Sequence, residues 1–472
     1  MRKFLLKLFV FTCIIISVIL YCDSEGIFDP DKKNDHTIKK WNAFYDFTEW
    51  NNVDVILVGN SHLYTGINPK TLSNYLGVNS FILASPGTNI ADSYYCLVEA
   101  LKKTKPSIVV VETYGINQAD NHELKGGALS DQFKSFSARK DFWIKIKSSP
   151  ELFTIGNIPY AWSNTLRNHR FLFTNKEQIK KNKKEDDEVI QKKLYLGRYA
   201  RFKTGITDSL LNIYKTKGAP VDGKKYQLSD QNKTYVKKIV ELCEEENIKL
   251  VFLTLPMYQE HVSNYKIWRE RLNNELSQYK LPWIDLQLPE YNDQFTVHCF
   301  ENTYNTNQHM TYNGSLLASY MLGDFINKQY PNVLPSRKGD QNWKNLFYGE
   351  EGYFDNNSPR QTDNENMVLA KNVQASNIII EEINFIKVKN NYLVVAKIPI
   401  NPTLANEIKN YILRISINFS EGNNPPINSN LDLPYDQYSS SEKRVLFKQG
   451  VKPIKIHQIN YAQLVPKTTI NQ

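Results

Sequence analysis

Cysteine is scarce in this chain of 472 residues: there are five, and two of them, Cys13 and Cys22, fall in an apolar N-terminal run. Only Cys96, Cys243 and Cys299 remain for the body. No CxxC pair and no Cys/His ligand spacing occurs, and His298 beside Cys299 has no further ligand at a suitable interval. A disulfide scaffold or a structural zinc site is therefore not expected. Cys96 and Cys243 sit in helix-periodic segments and read as core filler. Long hydrophobic runs are equally few. A single stretch is long enough to cross a bilayer, which excludes a multi-span membrane protein. Charge of one sign is also missing in bulk: 58 Lys and Arg against 49 Asp and Glu leave 58 − 49 = +9. That excess suits weak attraction to anionic surfaces or glycans and falls short of a nucleic-acid footprint. With 41% apolar and 23% charged residues the chain is neither disordered nor collagen-like, and its length asks for two or three domains.

The N-terminus assigns a compartment. Arg2, Lys3 and Lys7 precede the apolar run Leu8 to Cys22, and Asp23, Glu25, Asp29 and Asp31 follow it. Basic before and acidic after orients the N-terminus to the cytoplasm and the rest outside. No small-x-small cleavage site closes the run, and Tyr21 stands where a lipobox needs a small residue. Residues 1–22 therefore read as an uncleaved signal anchor, which ties an extracytoplasmic body to the inner (cytoplasmic) membrane. A cleaved or lipidated signal is the alternative.

Past a polar stalk (23–50), strands and helices alternate. Val53 to Val58, Phe81 to Ala84, Ile108 to Val111, Lys249 to Leu255 and Trp283 to Leu286 read as strands. Between them, Ile90 to Lys103, Tyr235 to Asn247, Tyr265 to Tyr279 and Leu316 to Phe325 carry helical periodicity. Continuous apolar strands without alternation are what a parallel sheet covered on both faces requires. This α/β domain (51–335) is split by a basic, aromatic, helical insertion (about 118–230) that contains the charged stretch Lys176 to Lys193, read as a solvated helix face. A polar linker (336–365) leads to a region (366–472) of β-branched segments separated by turn clusters. Examples are Ile378 to Ile380, Tyr392 to Ile398, Tyr411 to Phe419 and Arg444 to Phe447, and they predict a small antiparallel sandwich.

In open α/β sheets reactive groups sit on loops leaving the carboxyl ends of strands. Three such loops stand out. Gly59-Asn60-Ser61-His62 follows strand one and can present a hydroxyl and a backbone N–H to one point. Ser85-Pro86-Gly87-Thr88-Asn89 follows strand two, where Gly87 lets a backbone amide approach a substrate oxygen and Asn89 offers a side-chain donor. Gln308-His309-Met310-Thr311-Tyr312-Asn313-Gly314 precedes the last helix, where an imidazole can take a proton from a serine.

These blocks resemble the SGNH, or GDSL-type, hydrolase superfamily, over residues 53–117 and 231–327. The nearest likeness is to the bacterial membrane-anchored branch with a Gly-x-Ser-His opening. The resemblance implies a flavodoxin-like three-layer sheet, Ser61 as nucleophile and His309 as general base. The backbone N–H groups of Ser61 and Gly87 would form the oxyanion hole. Relatives of this type move or remove O-acyl groups on cell-surface polymers. The sequence departs from the family pattern in three places. Asn60 replaces the Asp before the serine, Asn117 lies late for the third-block Asn, and Thr306 occupies the place of the Asp that orients the histidine. Glu301, Asp285 and Glu112 are candidate replacements for that carboxylate.

The expectation is an exported O-acyl esterase or acyltransferase acting on a cell-envelope or exopolysaccharide glycan. The insertion and the C-terminal region would hold the polymer, with His62 and His169 as substrate contacts. No metal or organic cofactor is expected, and an acyl-exporting membrane protein is a conceivable donor. The alternative is a catalytically degenerate glycan-binding or assembly protein on the same scaffold.

Overall fold

A computed structural model describes residues 1–25, 27–28, 35–169, 195–198, 205–295 and 297–337. In the C-terminal region it describes 366–375, 378–388, 391–399, 408–420, 427–439, 444–451 and 455–466. The stretch Lys176 to Lys193 and residues 338–365 of the expected linker lie outside the described residues.

The apolar run forms α1 (Arg2–Glu25), 24 residues with a mean hydropathy of 2.5 over its most apolar window and no buried residue. At about 1.5 Å per residue such a helix is long enough to span the hydrocarbon core of a bilayer, and a signal sequence has the same character. Next comes α2 (His36–Thr48), capped by the Asp35 carboxylate, which accepts the N–H groups of Thr37 at 2.8 Å and Ile38 at 3.3 Å. This helix corrects the stalk expectation for 23–50. Its Trp41, Phe44 and Tyr45 are buried, and the Phe44 ring meets Phe81 edge to face at 5.2 Å. The aromatic spacing of residues 41, 44 and 45 is helical, and only a core partner makes that helix worth forming.

The α/β domain is built from β1 (Val55–Gly59), α3 (Ser61–Gly66), α4 (Pro69–Leu76), β2 (Ser80–Ala84), α5 (Ile90–Leu101) and β3 (Ile108–Glu112). The insertion supplies α6 (Gly126–Ala138), α7 (Phe142–Leu152), α8 (Ile158–Trp162), α9 (Asn164–Asn168) and α10 (Asp208–Lys217). Then come α11 (Asp230–Glu245), β4 (Lys249–Thr254), α12 (Tyr265–Leu276), β5 (Trp283–Asp285) and α13 (Tyr312–Gln329).

The five strands pair in parallel in the order β2-β1-β3-β4-β5. Alternate residues feed two separate cores. Ile56, Val58, Val109, Val111, Leu250 and Phe252 pack under α2, α5, α11 and α12. Val55, Leu57, Val110, Val251 and Leu253 pack under α3, α4, α10 and α13. Both faces are covered, which is why the strands read as unbroken apolar runs.

The β2 edge is closed by residues 195–198, where Leu196 and Gly197 have φ of 49° and 85°. A Cβ on Gly197 would stand 1.9 Å from the Ile82 carbonyl oxygen, so only glycine allows this approach. Beyond α13, Arg337 ties the chain back to the start of β1 through Asp54, with Nη2 2.6 Å from Oδ1.

The C-terminal region holds β6 (Asn366–Ala375), β7 (Ile378–Val388), β8 (Asn391–Pro399), β9 (Tyr411–Ser420), β10 (Ile427–Ser439), β11 (Arg444–Val451) and β12 (Lys455–Pro466). These make an antiparallel sheet in the order β12-β9-β10-β11-β8-β7-β6. The long β10 joins its two halves. Residues 427–434 pair with β9 and residues 435–439 pair with β11, across a bulge at Tyr435/Gln437. Tyr435 of β10 meets Tyr320 of α13 edge to face at 5.1 Å, so this sheet docks on the helix that follows the histidine loop.

If α2 belongs to the core, Phe44→Ala should destabilise the fold by about 3–5 kcal/mol in denaturant unfolding. An unchanged midpoint would return residues 35–48 to the role of a stalk.

Candidate functional site

The loops after β1, β2 and β3 leave the same edge of the parallel sheet, and the histidine loop crosses it. At the end of β1, Gly59 lets two strands come together: a Cβ there would stand 2.7 Å from the Glu112 Cβ. Asn60 then caps α3, its side chain accepting the His62 N–H at 3.0 Å. An Asn performs this capping as well as an Asp would. Ser61 opens α3, and its N–H is among those that a helix start leaves without an intrahelical carbonyl. The serine is 7% exposed, and its carbonyl accepts the Thr65 hydroxyl at 2.7 Å.

The histidine loop is positioned by backbone pairing. Phe300 and Met310 form an antiparallel bridge, flanked by Glu301 N–H to His309 C=O at 2.9 Å and Thr311 N–H to Cys299 C=O at 2.9 Å. Glu301 therefore lies directly opposite His309, and its Oε2 is 3.7 Å from His309 Nδ1. Both side chains are almost fully buried. At that separation the contact is an ion pair once the imidazole is protonated, and too long for a hydrogen bond. Gln308 steadies the loop from beside it: its Oε1 accepts the Tyr258 N–H at 2.8 Å. His261 supports it further, with Nε2 2.7 Å from the Asn305 carbonyl oxygen and Nδ1 2.7 Å from the Tyr214 hydroxyl.

The serine loop meets the histidine loop through His62. Its ring stacks on Tyr114 at 4.0 Å and lies 5.3 Å from the His309 ring. Burial, and secondly the neighbouring His309, push the His62 pKa well below its ordinary value, so this ring is neutral near pH 7. Tyr114 also donates its hydroxyl to the Thr306 carbonyl at 3.3 Å. Thr306, three residues before His309, is exposed.

The three candidate carboxylates are thereby separated. Glu301 faces the histidine. Asp285 is occupied elsewhere, by the Tyr265 hydroxyl at 2.7 Å and Arg269 Nε at 3.0 Å. Glu112 sits under the serine loop, accepting the N–H of Tyr114 at 2.6 Å and those of Gly115 and Asn60. Burial raises its pKa to about 8 against these backbone bonds.

Gly87 adopts φ +59°, and a Cβ there would come within 3.3 Å of Ala128 in α6, so the second loop needs glycine. Asn89 corrects an expectation. It is fully buried and caps α5, and both amide hydrogens are spent, on the Ala119 carbonyl at 3.1 Å and Asn121 Oδ1 at 2.8 Å. It is a brace for the loop and has no hydrogen left for an oxyanion. His169 is exposed, and its Nδ1 contacts Leu166 C=O at 2.8 Å.

Lys40 was missed, because its segment reads as stalk. Its ammonium is buried, lies 4.6 Å over the Tyr64 ring, and donates to the Ala84 carbonyl at the very end of β2. Burial lowers its pKa to about 7. Tyr114 was also missed; an aromatic just after a strand end carries no distinguishing signal in the sequence. Among the described residues, no group of three His, Cys, Asp or Glu side chains is arranged to hold a metal ion.

Neither a family model nor a curated protein matches this chain.

The Glu112 geometry has a measurable consequence. Folding holds the proton more firmly than the unfolded chain does. The stabilisation is therefore complete below the unfolded value near 4.5 and is lost as pH rises through about 8. The unfolding free energy of the native chain minus that of Glu112→Gln should fall across this window, by up to about 1.4 kcal/mol per pH unit. A flat difference would discard the buried acid.

Proposed function

We propose that this chain is an exported, membrane-anchored serine O-acyl esterase or acyltransferase of the SGNH type, acting on a cell-envelope or exopolysaccharide glycan. The strand order 2-1-3-4-5 is that of a flavodoxin-like sheet, which supports the resemblance. The observation that carries the reading is that His309 lies beside the buried carboxylate of Glu301 and beside His62, the residue that follows Ser61 in α3. Acyl transfer needs a histidine with an acid near one ring nitrogen and a serine hydroxyl within reach of the other, and these contacts support that arrangement.

In this mechanism the Ser61 Oγ attacks an ester carbonyl carbon and His309 accepts the hydroxyl proton. The N–H groups of Ser61 and Gly87 stabilise the oxyanion. Collapse expels the alcohol, which takes the proton from His309 and leaves an acyl-serine. Water or a sugar hydroxyl then attacks, with His309 again as base. Glu301 replaces the missing Asp: it favours the tautomer with hydrogen on Nδ1 and stabilises the imidazolium that forms. The C-terminal sheet, docked on the helix that follows the histidine loop, is the proposed seat of the polymer.

A second reading, a degenerate glycan binder, is favoured by the exposed Thr306 and by the 3.7 Å separation at Glu301. The two readings part on chemistry. With a chromogenic acetyl ester, Ser61→Ala should abolish turnover and labelling by a serine-directed phosphonate. Glu301→Gln should lower kcat by up to about 10⁴-fold while labelling persists slowly, and Thr306→Ala should change little. Absence of labelling at Ser61 in the intact chain would hand the case to the binder.

A further inference from the structure

One helix of the insertion is apolar on both faces. In α7, Ile144 and Leu152 are buried with Ser148 and Ser149, while Phe142, Trp143 and Ile146 face outward, Trp143 being 72% exposed. The turn that follows projects Ile155, 89% exposed, and α8 adds Tyr160 and Trp162. Three of them are joined, with the Phe142 ring 5.4 Å from Trp143 and 5.7 Å from Trp162. Lys140 and Lys147 are exposed beside it, and the Lys145 ammonium lies 5.8 Å over the Trp162 ring. Soluble surfaces rarely expose a continuous apolar patch of this kind without something to cover it.

Its place in the chain says what covers it. Thr165, three residues after Trp162, binds Asp23 at the outer end of α1: its N–H and hydroxyl both donate to Asp23 Oδ1 at 2.7 Å. Three residues span at most about 11 Å, so Trp162 is held near the level at which α1 ends. Aromatic side chains mixed with aliphatic ones, flanked by lysines, match the interface between acyl chains and anionic headgroups. A sugar site would give Ile146 and Ile155 nothing to stack on.

We infer that the α7–α8 face is a second membrane contact, seated in the anionic outer leaflet beside α1. It reassigns this part of the insertion from glycan to lipid. The contact rests on the reading of α1 as a membrane span. With α1 as the only tether, the α/β domain could swing freely. With α7 and α8 seated as well, the sheet edge that carries Ser61 is held at a set height and tilt over the bilayer.

The test uses the full chain in nanodiscs of phosphatidylcholine and phosphatidylglycerol, with and without brominated acyl chains. The emission lost in Trp143→Phe isolates Trp143, whose exposure makes the replacement harmless to folding. That emission should be largely quenched by brominated lipid and resist iodide. Carbonate extraction run in parallel reports on α1. Trp143 emission quenched by iodide and untouched by lipid, in a chain that resists extraction, overturns the second contact and leaves the anchor. Emission shielded from both quenchers points to a second copy of the chain on this face and also overturns it. A chain that washes out in carbonate removes the anchor and the contact together.

Discussion

Two backbone hydrogen bonds, from Glu301 to His309 and from Thr311 to Cys299, are what the candidate site depends on. They fix the register between the stretch after β5 and the approach to α13, and register in an antiparallel pair decides which side chains share a face. A slip of one residue would put Phe300 or Asn302 where Glu301 stands. The pairing is possible because α13 starts tightly beneath it. A Cβ on Gly314 would lie 2.3 Å from the Cys299 carbonyl oxygen, so this glycine is a matter of space, not of backbone angle. Gln308 and His261 brace the same loop from the β4 side, so that the imidazole is presented by a scaffold and not by a free loop.

Burial sets the electrostatics around that imidazole. Lys40, His62 and Glu112 are all moved toward their neutral forms, and in each case desolvation is the leading cause. Each is nevertheless placed where it holds backbone or a ring: Lys40 on the last carbonyl of β2, His62 against Tyr114, Glu112 under the serine loop. The strand ends are therefore tied together by polar groups that carry little charge. In so dry a setting an ion pair between Glu301 and a protonated His309 gains strength, which offsets part of its length.

Much of the α/β domain was legible in the sequence. Short, largely apolar runs marked all five parallel strands, and Gly59, Asn60 and Ser61 after the first and Ser85 after the second marked turns. The failure before β1 has a physical cause. Residues 35–48 look polar by composition, because only one helix face is apolar, and a half-buried helix of that kind resembles a stalk until its partner is known. The C-terminal strands alternate as antiparallel strands do, and a single long strand that changes partners half-way joins the two halves of their sheet. Within the site, Asn89 and Asn60 illustrate a related ambiguity, since a short polar side chain after a strand suits a catalytic donor and a helix cap equally well.

What the sequence determined alone was local: an apolar N-terminal helix, strand and helix periodicity, and the loops that bear Ser61, Gly87 and His309. These follow from nearest-neighbour sterics and hydrophobic period, which act within a few residues. Which carboxylate faces His309 was decided only in three dimensions. Glu301 is eight positions away from it, Asp285 and Glu112 are further, and nothing in their identities ranks them. The fold ranks them by pairing one strand segment against another, a long-range choice that no local pattern encodes.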